Sequence, residues 1–378
     1  MRLPLIALCL AGVLSGQSRW SEKAAKEWYA KEPWLVGSNY IPAGAINQLE
    51  MWQQDTFDPL WMETELTWGE KLGMNTMRVF LHDLLWKQDP TGFRHRIDKF
   101  LSIADAHGIR PIFVLFDSCW DPYPQVGPQR PPKPGVHNSG WVQSPGAASL
   151  QNPADYDRLR QYVQEVIGAY RYDKRVLAWD LWNEPDNTND SSYGKLEPAN
   201  KVELVKALLP QVFAWARAME PAQPLTSGVW KGDWSSDAKL SAIEKIQLDN
   251  SDVISFHDYG KPAEFEARIR SLERYNRPIF CTEYMARGNG STFEGSLPIA
   301  KKYKVAAINW GFVAGKTQTY LPWDSWQHPY VDREPAVWFH DIFHKDGTPY
   351  RADEVSLIRS LTEGATGKVK GRKGKGRK

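Results

Sequence analysis

Two glutamates stand at the ends of short apolar runs in this 378-residue sequence. Glu184 follows Val176-Leu177-Ala178-Trp179-Asp180-Leu181-Trp182-Asn183 and precedes Pro185. Glu283 closes Pro278-Ile279-Phe280-Cys281-Thr282 and precedes Tyr284. A short apolar run reads as a buried strand, so each carboxyl falls where a strand gives way to a loop. A carboxyl that holds its proton can act as an acid, and one that has lost it can act as a nucleophile. Asn183, next to Glu184, adds an amide able to bond a sugar hydroxyl as charge develops. This combination suits cleavage of a glycosidic bond, and the retaining route needs the two carboxyls about 5–5.5 Å apart.

Such a pair needs a frame that brings distant strand ends together. Eight runs have the same character: Trp34–Tyr40, Asn75–Leu81, Arg110–Phe116, Val176–Trp182, Leu225–Trp230, Val253–His257, Pro278–Thr282 and Val305–Trp310. They are continuously apolar, as expected of parallel strands covered on both faces. Helical signals lie between them. Asp58-Pro59 and Asn152-Pro153 put a capping side chain before a proline. Arg158–Ala169 and Val202–Met219 carry apolar residues at helical spacing, and Leu101–Ala106 stops at His107-Gly108. Alternation of this kind implies βαβ units, and eight of them suggest a single-domain α/β fold, a (β/α)₈ TIM barrel. An open doubly wound sheet is the competing arrangement. Strands four and seven face each other across a barrel mouth, where the carboxyls would meet. The long Pro- and Gly-rich connection from Asp117 to Asn152 would stand on that same face.

The ordered set of residues resembles the cellulase-type family 5 glycoside hydrolases, within a clan of retaining (β/α)₈ enzymes, over roughly residues 30–362. The resemblance implies that Glu184, in Asn183-Glu184-Pro185, is the acid/base and that Glu283 is the nucleophile. It implies that Arg78, in Met77-Arg78-Val79-Phe80, supports the nucleophile, and that His257 and Tyr259 form the sixth-strand His-x-Tyr pair. Trp310 matches the aromatic floor under the sugar. One position departs from the pattern: where many members carry a third-strand His, this chain reads Phe116-Asp117-Ser118-Cys119-Trp120. His82, Asp83 and Asp117 are weaker candidates for sugar contacts in its place. The departure points to a divergent subfamily whose sugar is not fixed by the family pattern.

Tryptophan is abundant, at 18 residues, and flat rings stack on the apolar faces of pyranoses. Trp120, Trp141, Trp230, Trp234, Trp323 and Trp326 follow strand ends and are cleft candidates, of which two to four should touch substrate. Trp61, Trp68, Trp215 and Trp338 read as helical core positions. No metal-ligand spacing and no phosphate-binding glycine loop occurs, so neither a metal nor another cofactor is expected. Cys119 and Cys281 read as free buried thiols.

Met1-Arg2 followed by the apolar stretch Leu3–Leu14 reads as a secretory leader over residues 1–18, with export to the exterior or periplasm as its consequence. The stretch is too short to span a bilayer. The catalytic domain would occupy residues 19–364. The basic residues 365–378 hold no acid, and without them the formal charge of +2 turns negative. Such a segment reads as a disordered tail, either merely solvated or drawn to anionic surfaces. Nothing points to nucleic acid; the expected partner is a β-linked glycan. Oligomeric state, sugar identity and endo or exo action stay open. Two further functions compete with hydrolysis of β-linked poly- or oligosaccharides. One is a carbohydrate-binding protein with little catalysis. The other is an exo-acting or transglycosylating enzyme on short oligosaccharides, with the 117–152 connection closing one end of the cleft.

Overall fold

The computed structural model describes residues 18–363. The expected basic tail, and all but the last residue of the expected leader, lie outside the described residues. Eight parallel strands form one sheet: β1 (Val36–Asn39), β2 (Thr76–Phe80), β3 (Arg110–Asp117), β4 (Ala178–Asn183), β5 (Leu225–Thr226), β6 (Ile254–His257), β7 (Ile279–Glu283) and β8 (Ala306–Asn309). The order β5-β4-β3-β2-β1-β8-β7-β6 is that of a barrel cut between β5 and β6. A single parallel bridge, Val229 to Phe256, closes the cut. The (β/α)₈ barrel is therefore the architecture, and the open sheet is not.

Every strand from β1 to β8 except the first residue of β3 is buried, which explains why the runs are apolar throughout rather than alternating. β5 is the shortest. Its apolar run continues to Trp230, but ladder pairing with β4 lapses after Thr226. The helices start and stop as their caps dictate. The Asp58 carboxylate accepts from the backbone N–H of Trp61 at the head of Pro59–Lys71. Asn152 caps a short 3₁₀ turn leading into Tyr156–Tyr170. Gly108, at φ +67°, turns the chain after Pro90–Ala106.

Helix Glu22–Tyr29 precedes the first strand and seals the far end of the barrel. Tyr29 packs with Leu35, Leu177, Phe280 and Ile308 in a buried cluster at the barrel's base. Trp338 is not on a helix, contrary to the sequence reading. It lies in an irregular stretch that runs from β8 to helix Ala352–Thr362 and contains only the 3₁₀ turn Trp323–Trp326. Its ring stacks on Tyr350, with centroids 4.7 Å apart and planes within 1°. This second long connection has no periodic pattern, and its composition of Gly, Pro and aromatic residues was its only announcement. Cys119 and Cys281 are free and buried.

Candidate active site

The loops at the C-terminal ends of the strands enclose a cleft of about 650 Å³. β4 delivers Asn183 and Glu184 to it. Glu184 adopts φ +41°, a left-handed conformation that a non-glycine residue pays for in strain. Pro185 follows directly. The strained turn carries the Glu184 carboxyl over the barrel axis toward β6 and β7. Glu283 arrives from the last position of β7.

Arg78 on β2 is fully buried beneath both. Its Nε and Nη2 donate to Asp180 Oδ2 at 3.0 and 2.8 Å. Its Nη1 donates to Glu283 Oε1 at 2.8 Å and to Asn39 Oδ1 at 2.9 Å. Its Nη2 also donates to Asn183 Oδ1 at 2.7 Å. A planar guanidinium can hold several acceptors at fixed angles, so one residue registers β1, β4 and β7 against β2. From β6, His257 Nδ1 lies 2.9 Å from Glu184 Oε1 and 3.5 Å from Glu283 Oε2. The Tyr259 hydroxyl donates to Glu283 Oε2 at 2.8 Å. Oxygens of Glu184 and Glu283 and a nitrogen of His257 all lie within 4.8 Å of one another. Retaining pairs stand about 5–5.5 Å apart and inverting pairs about 6.5–9.5 Å.

Burial raises the pKa of Glu184, and hydrogen bonds from Asn187 and Cys119 oppose the rise. Burial raises Glu283 as well, but Arg78 and the Tyr259 hydroxyl favour its ionised form. Burial lowers His257 to about 4, so its imidazole is neutral near pH 7. Arg78 is the cation that faces this cluster, and three carboxyls surround it: Asp180, Glu283 and Glu184. Asp180 and Glu283 contact Arg78 directly. Repulsion among the carboxyls is therefore relieved at least cost when the shared proton sits on Glu184. Two carboxyls and an imidazole could in principle hold a divalent ion. Here Arg78 already binds one of the carboxylates, and His257 Nδ1 already meets the other.

The cleft gathers Asn183, Glu184, His257, Tyr259, Glu283, Trp310 and Trp120. Arg78 lies directly below them. Of the six loop tryptophans, Trp120, Trp230, Trp323 and Trp326 line the cleft. Trp141 instead packs edge-on against Phe80 and Trp310, and Trp234 is buried. Three weaker candidates are behind the cleft rather than in it. His82 is fully buried and its Nδ1 accepts from the N–H of Leu84 at 3.2 Å, capping the next helix. Asp83 is held by Ser144 and Arg158. Asp117 accepts from Asn183 Nδ2 at 2.9 Å, Trp141 Nε1 at 2.6 Å and the N–H of Cys119 at 3.0 Å. It orients Asn183 and has no free face for a sugar.

Three residues at the site escaped the sequence reading. Asp180 is a charged residue inside an apolar strand run, and that was its signal. Asn187 donates to Glu184 Oε2 at 2.7 Å, and Asn39 supports Arg78. Neither carries a mark that separates it from an ordinary turn or strand-end residue.

An eight-stranded parallel barrel with two carboxyls paired over a buried arginine at its C-terminal mouth defines a glycoside hydrolase. Residues 67–329 match the cellulase family, glycosyl hydrolase family 5, and the chain belongs to that family. Among solved structures it is similar to a GH5 protein from Streptomyces cattleya in complex with Manβ1-4GlcNAc. That likeness has a TM-score of 0.59 at 12% identity, and covers 88% of this chain and 80% of the other. An exo-β-1,4-mannosidase from Opitutaceae bacterium strain TAV5 superposes with TM-score 0.58 at 18% identity, over 88% and 60% of the two chains. An endo-1,4-β-mannanase from Rhizomucor miehei gives 0.58 at 14% identity, over 88% and 95%. At these identities the likeness is one of fold. A curated relative, a β-glucuronidase from Pongo abelii, is 24% identical over 196 residues. That match takes in 50% of this chain but only 24% of the relative, so the chain spans about a quarter of that protein's length.

Proposed function

We propose that this protein is a retaining β-glycosidase in which Glu184 is the acid/base and Glu283 the nucleophile. The observation that carries the reading is the approach of the two carboxyl groups, within 4.8 Å at their nearest ligand atoms. Glu283, ionised against Arg78 and Tyr259, attacks the anomeric carbon. The bond to the leaving oxygen breaks as Glu184 gives that oxygen its proton. A glycosyl ester of Glu283 results. Water then loses a proton to Glu184 while its oxygen attacks the same carbon, and Glu283 is released as carboxylate. Asn183, pinned between Arg78 and Asp117, offers its amide to the 2-hydroxyl. Trp310 is the floor under the sugar.

The substrate is a β-linked poly- or oligosaccharide. Structural relatives named for mannosides support testing mannosides first, alongside glucosides. The apolar stretch after Met1-Arg2 supports export through a leader of about 18 residues, and the basic tail supports contact with anionic surfaces. N-terminal sequencing of the mature protein would locate the cut.

The test assigns each carboxyl by chemical rescue on aryl β-glycosides. Glu283→Ala should abolish turnover, and azide should restore it with an α-glycosyl azide as product. Glu184→Ala should slow turnover by about 10²–10⁴-fold, the usual contribution of a general acid–base, and azide should yield the β-glycosyl azide. Near-wild-type turnover by Glu283→Ala would end the assignment.

A further inference from the structure

The two long connections do not lie apart over the barrel mouth; they are stitched to each other. The β3 connection and the β8 connection leave strands separated in the sheet by β2 and β1. The N–H of Asn138 nevertheless donates to the Thr317 carbonyl at 2.8 Å, and the N–H of Tyr330 to the Gly135 carbonyl at 2.9 Å. Trp326 Nε1 donates to the His137 carbonyl at 2.9 Å. His137 itself is buried, and its Nδ1 meets the Leu321 carbonyl at 2.8 Å. The seam therefore roofs the side of the mouth that stands over β1 and β2.

The β4 connection joins the same wall. The N–H of Trp120 donates to Asn189 Oδ1 at 2.7 Å. Gln327 Nε2 donates to the Ser191 carbonyl at 3.0 Å, linking the β8 and β4 connections directly. Trp120, held at φ +71°, stacks on Trp326 with centroids 5.4 Å apart and planes within 11°. Both rings line the cleft. On the opposite side the bonds at the rim run from Trp230 Nε1 and Lys231 Nζ to Asp186 of the β4 connection. There Trp230, Lys231 and Asp258 edge the opening, and the Lys231 side chain is 46% exposed.

A groove open at both ends admits the middle of a chain, and a groove closed at one end admits only a chain terminus. Resting on the assignment of Glu184 and Glu283 above, we infer that the enzyme is exo-acting and removes single sugars from the non-reducing ends of β-linked oligosaccharides. The leaving oxygen must face Glu184. Asp186, two residues on, is bonded to Trp230 Nε1 at 2.7 Å on the open side. β4, which delivers Glu184, stands two strands away from the roof over β1 and β2 and next to β5 with Trp230, so the aglycone is placed past Trp230. C1 and C4 are opposite poles of a pyranose, so the non-reducing pole of the attacked sugar faces the wall of Trp120 and Trp326. A further sugar on that pole would collide with the wall. The cleft volume falls within the usual 300–1,000 Å³ of an enclosing ligand pocket, rather than that of an extended polymer groove.

The wild-type protein is tested on mannohexaose and cellohexaose labelled at the reducing end, beside aryl β-monoglycosides of the same sugars. Early time points should show labelled products shortened by one unit at a time, and the free monosaccharide as the unlabelled product. Labelled fragments of intermediate length, or unlabelled di- and trisaccharides at early times, would overturn the inference while leaving the carboxylate assignment intact. Failure to cleave every aryl glycoside and oligosaccharide would instead overturn the assignment beneath it. Trp326→Ala opens the wall and should add disaccharide to the products. An unchanged product pattern in that variant would show that the wall does not set the mode of attack.

Discussion

The thiol of Cys119 reaches the carboxyl of Glu184: Sγ and Oε2 are 3.3 Å apart. The Asn183 amide nitrogen approaches the same sulfur at 3.4 Å. Burial pushes the thiol's pKa well up, so it remains a neutral S–H donor. A donor to Glu184 favours the ionised carboxylate. Cys119→Ala should therefore raise the Glu184 pKa and move the alkaline limb of the kcat/KM profile, where the acid loses its proton, to higher pH. Cys119→Ser should leave that limb nearer the wild-type position. A limb that moves down or stays put in Cys119→Ala would show that the sulfur does not act on Glu184.

Arg78 binds two carboxylates with no water between them. Arg78→Met would leave Asp180 charged and unpaired in the barrel mouth, and breaking a buried pair from one side costs roughly 3–5 kcal/mol. Urea denaturation should show a loss of that order. Arg78→Met combined with Asp180→Asn should recover part of the stability without recovering activity. Additive losses in the double variant would mean that the two residues are not coupled.

Asp341 is fully buried and accepts from the Thr319 hydroxyl at 3.0 and 2.8 Å. Burial lifts its pKa to about 7. The folded value lies above the unfolded one, near 3.9, so the folded state binds the extra proton between these values. The stability tied to that proton is complete below about pH 4 and is lost as pH rises to about 7. Asp341→Asn cannot ionise. Relative to wild type it should gain stability steadily from pH 4 to 7 and no further above that. Denaturation curves at intervals across the window check this, and a difference independent of pH would refute it.

The cluster of Glu184, His257 and Glu283 should need no metal, since Arg78 already supplies the cation. Prolonged dialysis against EDTA should leave the rate on aryl glycosides unchanged. A loss that added calcium or zinc reverses would contradict this account of the charge balance.

The strands were legible because parallel strands buried on both faces leave continuous apolar runs, and all eight runs hold strands. The positions of Glu184 and Glu283 were legible for the same reason, as charges at the ends of such runs. Facing was not. His82, Asp83 and Asp117 also follow strand runs, yet they point behind the cleft into hydrogen bonds with Leu84, Ser144, Arg158 and Asn183. His82 and Asp83 lie past the end of β2, where parity no longer tells which way a side chain points. The wall made by Trp120 and Trp326 was also out of reach. Each ring could be suspected alone, but their stacking depends on hydrogen bonds between carbonyls and amides of two connections about 200 residues apart, and backbone groups leave no trace in composition.

The helix at the barrel's base bears on how the chain assembles. Arg19 donates to the carbonyls of Ser251 and Leu248, and the N–H of Trp20 to Asp252. Trp28 and Tyr29 lie against Phe280. The hydrogen bonds of Arg19 and Trp20, and the ring contacts with Phe280, thus reach segments more than 200 positions later. During synthesis this helix cannot complete its packing until β6 and β7 have emerged, and contacts so distant in sequence form slowly. Trimming or tagging the chain beyond Ser18 would therefore act on the last step of barrel closure, far from the cleft where sugars bind.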